Sequence, residues 1–309
     1  MDNRLQVVGL GMCTFDVLIR SLELPTWEHG TRLSAFGFDG GGPVGTAMVA
    51  SARLGARVGF IGTAGNDVPA EFKMRSMVEC GIDLSHMVYR DLPDDQIVVV
   101  NIHAETGERV FSGVQRWGET LIQPLELDRD YIISADYLHL DGFHNAAAIQ
   151  AAQWMRAAGK TVVLDGHRTD GPVGEHLRVL IPYVDVLISG SGFARGLTGI
   201  DDILEAGVAI LAMGPRIFVQ TEGEDGSYTV TGGECFHTPA FDVDVIDTTG
   251  AGDVFHGAYI VGMLHGWDAR QTARFATAVS ALKCGKMGGR AGIPRFDEVM
   301  AFLNARGGL

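Results

Sequence analysis

Short apolar runs recur along this chain with helix-periodic stretches between most of them, and that alternation admits few folds. Residues 5–9, 58–61, 137–140, 161–165, 186–188 and 217–220 are each brief and apolar, often with Gly, Asp or Ser next in line. Such runs read as strands covered on both faces, as in a parallel sheet. Residues 44–54, 68–79, 145–158 and 203–212 carry helical spacing, several closing at Gly or Cys-Gly. The order predicts an α/β fold with a doubly wound, mostly parallel sheet flanked by helices, and ligands at the carboxyl ends of the strands. At 309 residues the chain suits one large domain or two smaller ones.

Two regions break the alternation. Residues 14–20 with 32–38, and 97–103 with 109–112, read as strand pairs with no helix between the members. They either lengthen the main sheet, which the residues alone favour, or form a small separate one. A net charge of −14 and a pI near 5.0 argue against a general nucleic-acid or anionic-membrane surface. No apolar run reaches the roughly 18 residues of a membrane span, and Met1-Asp2-Asn3-Arg4 leads into a strand pattern, so a cytoplasmic protein is expected. Cys13, Cys80, Cys235 and Cys284 lack CxxC spacing and suggest neither a zinc site nor a disulfide framework.

The chemistry concentrates in Asp247-Thr248-Thr249-Gly250-Ala251-Gly252-Asp253. Residues 254–264 after it are apolar at helical spacing and stop at His265-Gly266, so Gly250 to Asp253 should open a helix. The first N–H groups of a helix have no partner within it, and the dipole there favours negative charge. Gly250 and Gly252 let a phosphate approach the backbone, while Asp253 could take the proton of an attacking hydroxyl. One stretch thereby supplies an anion hole and a general base.

Extended to Asp-Thr-Thr-Gly-Ala-Gly-Asp-Val-Phe-His-Gly-Ala, the string resembles the C-terminal signature of the ribokinase-like, or PfkB, carbohydrate kinases. The resemblance covers nearly the whole chain and implies a single ribokinase-like domain over 1–309, with the strands of 14–38 and 97–112 forming a lid over the sugar and, in some members, a dimer clasp. It implies that Asp253 is the base and that Gly250, Ala251 and Gly252 hold the transferring phosphoryl group of ATP. The cluster Asp39-Gly40-Gly41-Gly42-Pro43-Val44-Gly45-Thr46-Ala47 resembles the N-terminal motif, which places Gly41, Gly42 and Thr46 against the sugar, with Thr46 where the family has asparagine. A threonine hydroxyl reaches less far than an amide and cannot pair two sugar hydroxyls at once. By the same resemblance Asp16 and Asp141 bind sugar hydroxyls.

For the nucleotide, Thr221-Glu222-Gly223-Glu224-Asp225-Gly226 resembles the family's phosphate and ribose loop, which implicates Thr221, Gly223 and Gly226 alongside Gly252. Thr277 lies on the helix that would wall the adenine. Mg²⁺ would bridge ATP oxygens, and a monovalent cation such as K⁺ would sit at Asp247, Thr249 and the 283–288 loop. The family's metal-ordering Asn-x-x-Glu is replaced by Gly190 and Phe193. A P-loop is excluded because no Gly-x-x-x-x-Gly-Lys-Ser/Thr string occurs, and His167-Arg168-Thr169-Asp170 only mimics a protein-kinase loop. The C-terminal half is most similar to the sulfofructose kinase branch, yet Thr31, Gly113 and Phe143 stand where sulfonate donors would be expected, with Arg32 and Arg116 as the remaining candidates. The reading is an ATP-dependent kinase acting on a hydroxyl of a small sugar or sugar acid, with a homodimer as a plausible assembly. Alternatives are a nucleoside or sulfosugar kinase, or a non-catalytic sugar- or nucleotide-binding relative.

Overall fold

The computed structural model describes residues 4–114, 118 and 120–309; Arg116 lies outside them. The strands are β1 (Val7–Leu10), β2 (Thr14–Ser21), β3 (Leu33–Gly41), β4 (Val58–Ile61), β5 (Thr63–Ala64), β6 (Val88–Tyr89), β7 (Ile97–His103), β8 (Arg109–Gly113), β9 (Tyr137–Leu140), β10 (Thr161–Asp165), β11 (Val186–Ser189), β12 (Ile217–Thr221), β13 (Ser227–Thr231) and β14 (Cys235–Thr238). The helices are α1 (Pro43–Arg53), α2 (Val68–Glu79), α3 (Arg129–Ser134), α4 (Asn145–Ala157), α5 (Glu175–Arg178), α6 (Phe193–Thr198), α7 (Ile203–Leu211), α8 (Ala251–Leu264), α9 (Ala269–Lys283) and α10 (Phe296–Asn304).

The large sheet has the order β14-β13-β12-β11-β10-β9-β1-β4. Its β4-to-β12 portion is parallel, and β13 and β14 add an antiparallel edge. The strand runs are apolar at every position because successive side chains enter different cores. Val7, Phe60 and Val163 join the cluster under α1, α8 and α9, while Val8, Ile61 and Leu164 join the one under α4 and α7. Each such fully buried side chain contributes about 1.5–3 kcal/mol. This is the doubly wound arrangement that the alternation predicts.

β1 is followed in sequence by β4 on one side and by β9 on the other. The carboxyl end of β1 therefore lies at a reversal of strand order, the place where open α/β sheets bind ligands. From that end the chain runs directly into β2, the start of a separate four-stranded sheet ordered β3-β2-β7-β8. The pairs at 14–38 and 97–112 thus form their own sheet rather than lengthening the main one. Register puts Asp16, Val98, Val100, Arg109 and Phe111 on one face and Val17, Phe36, Phe38, Val99 and Val110 on the other. A small core of Leu18, Val100 and Ile102, backed by Met287, anchors the first face to the body. Among the described residues, no helix is long and apolar enough to cross a membrane.

Candidate active site

A cavity of about 1360 Å³ opens between the carboxyl ends of the large sheet and the inner face of the four-stranded one. Asp165 ends β10, Gly190 follows β11 and Thr221 ends β12, and all three line it. From the smaller sheet come Asp16, Val98, Arg109, Phe111 and Gly113. The floor is the turn before α8.

That turn is built as its residues require. Gly250 is the N-cap of α8 at φ 73°, a left-handed conformation that glycine adopts without a Cβ penalty. Asp247, fully buried, accepts the Thr249 N–H (2.8 Å) and hydroxyl (2.6 Å) on one carboxylate oxygen and the Gly288 N–H (2.8 Å) on the other. The Ala251 N–H donates to the Thr248 carbonyl at 3.1 Å. The N–H groups of Gly250, Gly252 and Asp253 have no protein partner. The expected anion hole is present, but Ala251 contributes no free amide to it.

Asp253 lies in the first turn of α8. Burial pushes its pKa up to about 7, Asp165 adds to the rise, and His167 and Arg109 oppose it. A carboxylate with a pKa near working pH suits a general base. Asp16 is buried too and raised to about 6, chiefly by desolvation, although the Thr14 hydroxyl donates to it at 2.6 Å.

The sugar-side expectations divide. Gly41 packs so closely on Asp16 that a Cβ there would overlap its carboxylate, and Gly42 caps α1. Both line the cavity with Asp16 and Thr46. The Thr46 hydroxyl is buried without a partner, a polar group at the cavity wall suited to pair with a ligand. Asp141 is not a ligand of the cavity: its carboxylate accepts the N–H groups of Met12 (2.8 Å) and Phe143 (2.9 Å), which pins the ends of β1 and β9. A fully engaged acid behind the wall cannot reach a sugar.

On the nucleotide side Thr221, Gly223, Gly226 and Gly252 line the cavity, and the Thr221 hydroxyl donates to the Ser189 carbonyl at 3.2 Å. Thr277 also lines it, but its hydroxyl donates back to the Ala273 carbonyl at 2.8 Å, so it offers shape more than a donor. Where a monovalent cation was expected at Asp247 and Thr249, the buried ammonium of Lys283 donates to the Asp247 carbonyl at 2.9 Å. A second cation on that carbonyl would be repelled, so these residues do not fit one and no step is routed through it. Among the described residues no cluster of three or more His, Cys, Asp or Glu could hold a metal.

Several lining residues escaped sequence reasoning. Arg109 reaches from β8 across the cavity, and its Nη1 donates to the Thr248 hydroxyl beside the anion hole. Asp165 and His167 stand at the end of β10, where the rule for strand ends would have found them. Gly190 lines the cavity and Phe193 is core, so the Asn-x-x-Glu positions carry no carboxylate into the site.

The pfkB family carbohydrate kinase profile matches residues 4–295. The chain belongs to this family. It is 29% identical over 303 residues, covering 97% of this chain and 99% of the relative, to an ATP-dependent ribose-1-phosphate kinase of Halopiger xanaduensis. It is 28% identical to a 5-dehydro-2-deoxygluconokinase of Shouchella clausii, covering 96% and 95% of the two chains. The structure of Arabidopsis thaliana ribokinase complexed with ribose and ATP superposes with a TM-score of 0.81 at 22% identity, over 96% of this chain and 98% of that one, which shows the shared fold. This pfkB protein is an ATP-dependent phosphotransferase of the sugar-kinase type.

A short loop ties the two sides of this pfkB site together. The Arg290 and Ala291 N–H groups donate to the Asp39 carboxylate on β3 at 2.9 and 3.1 Å, while Gly288 holds Asp247. The buried Arg290 guanidinium donates to the carbonyls of Gly41 and Lys73. The sugar-side hairpin and the anion-hole turn share one fastening.

Proposed function

We propose that the chain transfers the γ-phosphoryl group of ATP to a primary hydroxyl of a small neutral sugar. The observation that carries this reading is Asp253, poised at about 7 beside unpartnered amides on the floor of the cavity. In the step, the acceptor O–H gives its proton to the Asp253 carboxylate and its oxygen bonds the γ-phosphorus. The bond to the β,γ-bridging oxygen breaks, and ADP leaves with that electron pair. The free amides of Gly250 and Gly252 stabilise charge on the transferring group. Arg109 adds a mobile cation when the smaller sheet sits over the site, which also excludes water, the competing acceptor.

Mg²⁺ arriving with ATP would supply charge neutralisation at the phosphates. Asp165, a cavity-lining acid whose neighbouring His256, His167 and His139 hold its pKa below the usual range against the opposing effect of burial, is the residue to face it.

A neutral acceptor is favoured by the wall that would receive it. Met12, Thr14, Val98, Phe111 and Gly113 surround Asp16, a desolvated carboxylate that pairs well with hydroxyls and repels anions. A sulfonate or phosphate on the acceptor would meet that acid. The outer face of the four-stranded sheet exposes Phe36, Phe38 and Val110, an apolar patch of the kind that a second copy of the chain would cover in a homodimer. A cytoplasmic setting, where ATP is available, fits the same reading.

A coupled ADP-release screen over neutral sugars, sugar acids, sugar phosphates and nucleosides tests the assignment. Turnover with a neutral sugar is expected. Turnover confined to a phosphorylated or sulfonated acceptor would overturn the neutral assignment, and none with any acceptor would overturn the kinase reading.

A further inference from the structure

The transfer step above leaves one cavity-lining group without a task. His167 follows β10 at φ 57°, the one non-glycine residue in the left-handed region among the described residues. Backbone held there is costly and persists only where its surroundings impose it. Its own N–H donates to the Asp165 carboxylate at 2.7 Å, and its ring is turned so that both nitrogens meet acceptors. Nε2 lies 2.9 Å from the Asp141 carbonyl, and Nδ1 lies 3.4 Å from the Asp165 carboxylate.

A carbonyl oxygen has no proton to give, so Nε2 must donate. Asp165, kept ionised, accepts in turn, so Nδ1 also carries its proton. Only the imidazolium satisfies both contacts. The other rings around Asp165 are different: His256 stands 3.7 Å from it and His139 stacks 5.3 Å from His256, and burial drives both toward the neutral form. Of the three, His167 is the one whose carboxylate neighbours outweigh burial and hold it above its ordinary value.

We propose that His167 is a positioning residue of the transfer site, an imidazolium clamped between Asp165 and the Asp141 carbonyl whose fixed charge keeps Asp253 ionised as a phosphate approaches. The inference rests on the kinase reading. The charge is needed because Asp16, Asp165 and Asp253 gather on one cavity wall, and the reaction brings further negative charge to it. Arg109 belongs to the other sheet, and Arg168 is exposed and paired with Asp170 at 3.2 Å, whereas His167 is fixed to the end of a central strand. The groups that act on its charge are Asp165 and Asp141 at the strand ends, Asp253 and His256 on α8, His139 on β9 and His176 on α5.

His167→Asn is the informative variant, since asparagine tolerates a left-handed backbone and carries no charge. The acid limb of its kcat/KM–pH profile is expected to move up by about one unit or more, the effect of losing an opposite charge a few ångströms away. At pH 6 that is about a tenfold loss relative to wild type, with an unchanged melting temperature. Independently, ¹⁵N-detected titration of wild-type histidine rings should show both His167 nitrogens protonated through neutral pH. A neutral His167 ring at pH 7, or a limb that stays in place in a folded variant, would overturn the proposal. The ring titration needs no turnover, so it decides the matter if the variant misfolds and separates this inference from a failure of the kinase reading.

Discussion

The two halves of the cavity are held in opposite ways. The anion-hole turn is fixed atom by atom: both Asp247 oxygens and its carbonyl are engaged, and Gly250 is seated against Gly289. The four-stranded sheet is held to the body through a three-residue core and Met287, while its outer face is apolar and exposed. Charge that develops during transfer is best met by groups that do not have to reorganise, and acceptor entry requires a wall that can open. Rigidity has gone to the phosphate and freedom to the sugar.

The comparison can be broken most severely at its rigid end. Asp253→Asn should lower kcat by roughly 10²–10⁴ while leaving sugar affinity nearly unchanged, as equilibrium binding would report. Near-normal turnover would refute the role. The same variant has a sign in stability: Asp253 is raised to about 7 in the folded state, so its stabilising contribution is present below the unfolded value of 3.8 and is lost as pH rises through 7. At pH 8 the asparagine variant should therefore melt higher than wild type, and at pH 4 the gap should shrink.

At the mobile end, Arg109→Ala should reduce kcat/KM by about 10–100-fold, the worth of a charged hydrogen bond, with most of the loss in kcat. Loss confined to KM for ATP would place Arg109 in ground-state binding and blur the contrast. For wild type, kcat/KM should fall as pH drops below about 7, where Asp253 protonates, and should steepen near 6 as Asp16 follows. A flat profile between pH 5 and 8 would mean that neither acid titrates in the working enzyme. The smallest effect is expected from Phe38→Lys, which should shift sedimentation toward the monomer and leave the melting temperature within a few degrees; an unchanged sedimentation profile would show that this face makes no interface.

Much of the body was readable because strands covered on both faces must be apolar throughout, which gives runs such as Val162 and Val163 no competing reading. The antiparallel β14, Cys235–Thr238, was not, since Cys235 and His237 are exposed and its pattern is shared with loops. The anion hole was legible because helix-opening geometry is local in sequence. Asp141 misled for the opposite reason: its position after β9 fits a ligand, but its engagement by Met12 is set by a contact 129 residues away. Arg109 was hidden by the same distance, since its partner Thr248 lies 139 residues on. Lys283 looked like part of an ion-binding loop until the direction of its side chain was known.

The shared fastening of Asp39 and Asp247 through residues 288–291 sets where bending can occur. A strand clamped at its inner end to the same loop that grips the catalytic turn cannot pivot at its root. The expected flexure lies outboard of Asp39, so that the tips of β2, β3, β7 and β8 travel while Asp16, Gly41 and Gly42 stay at their posts whether the vestibule is open or shut.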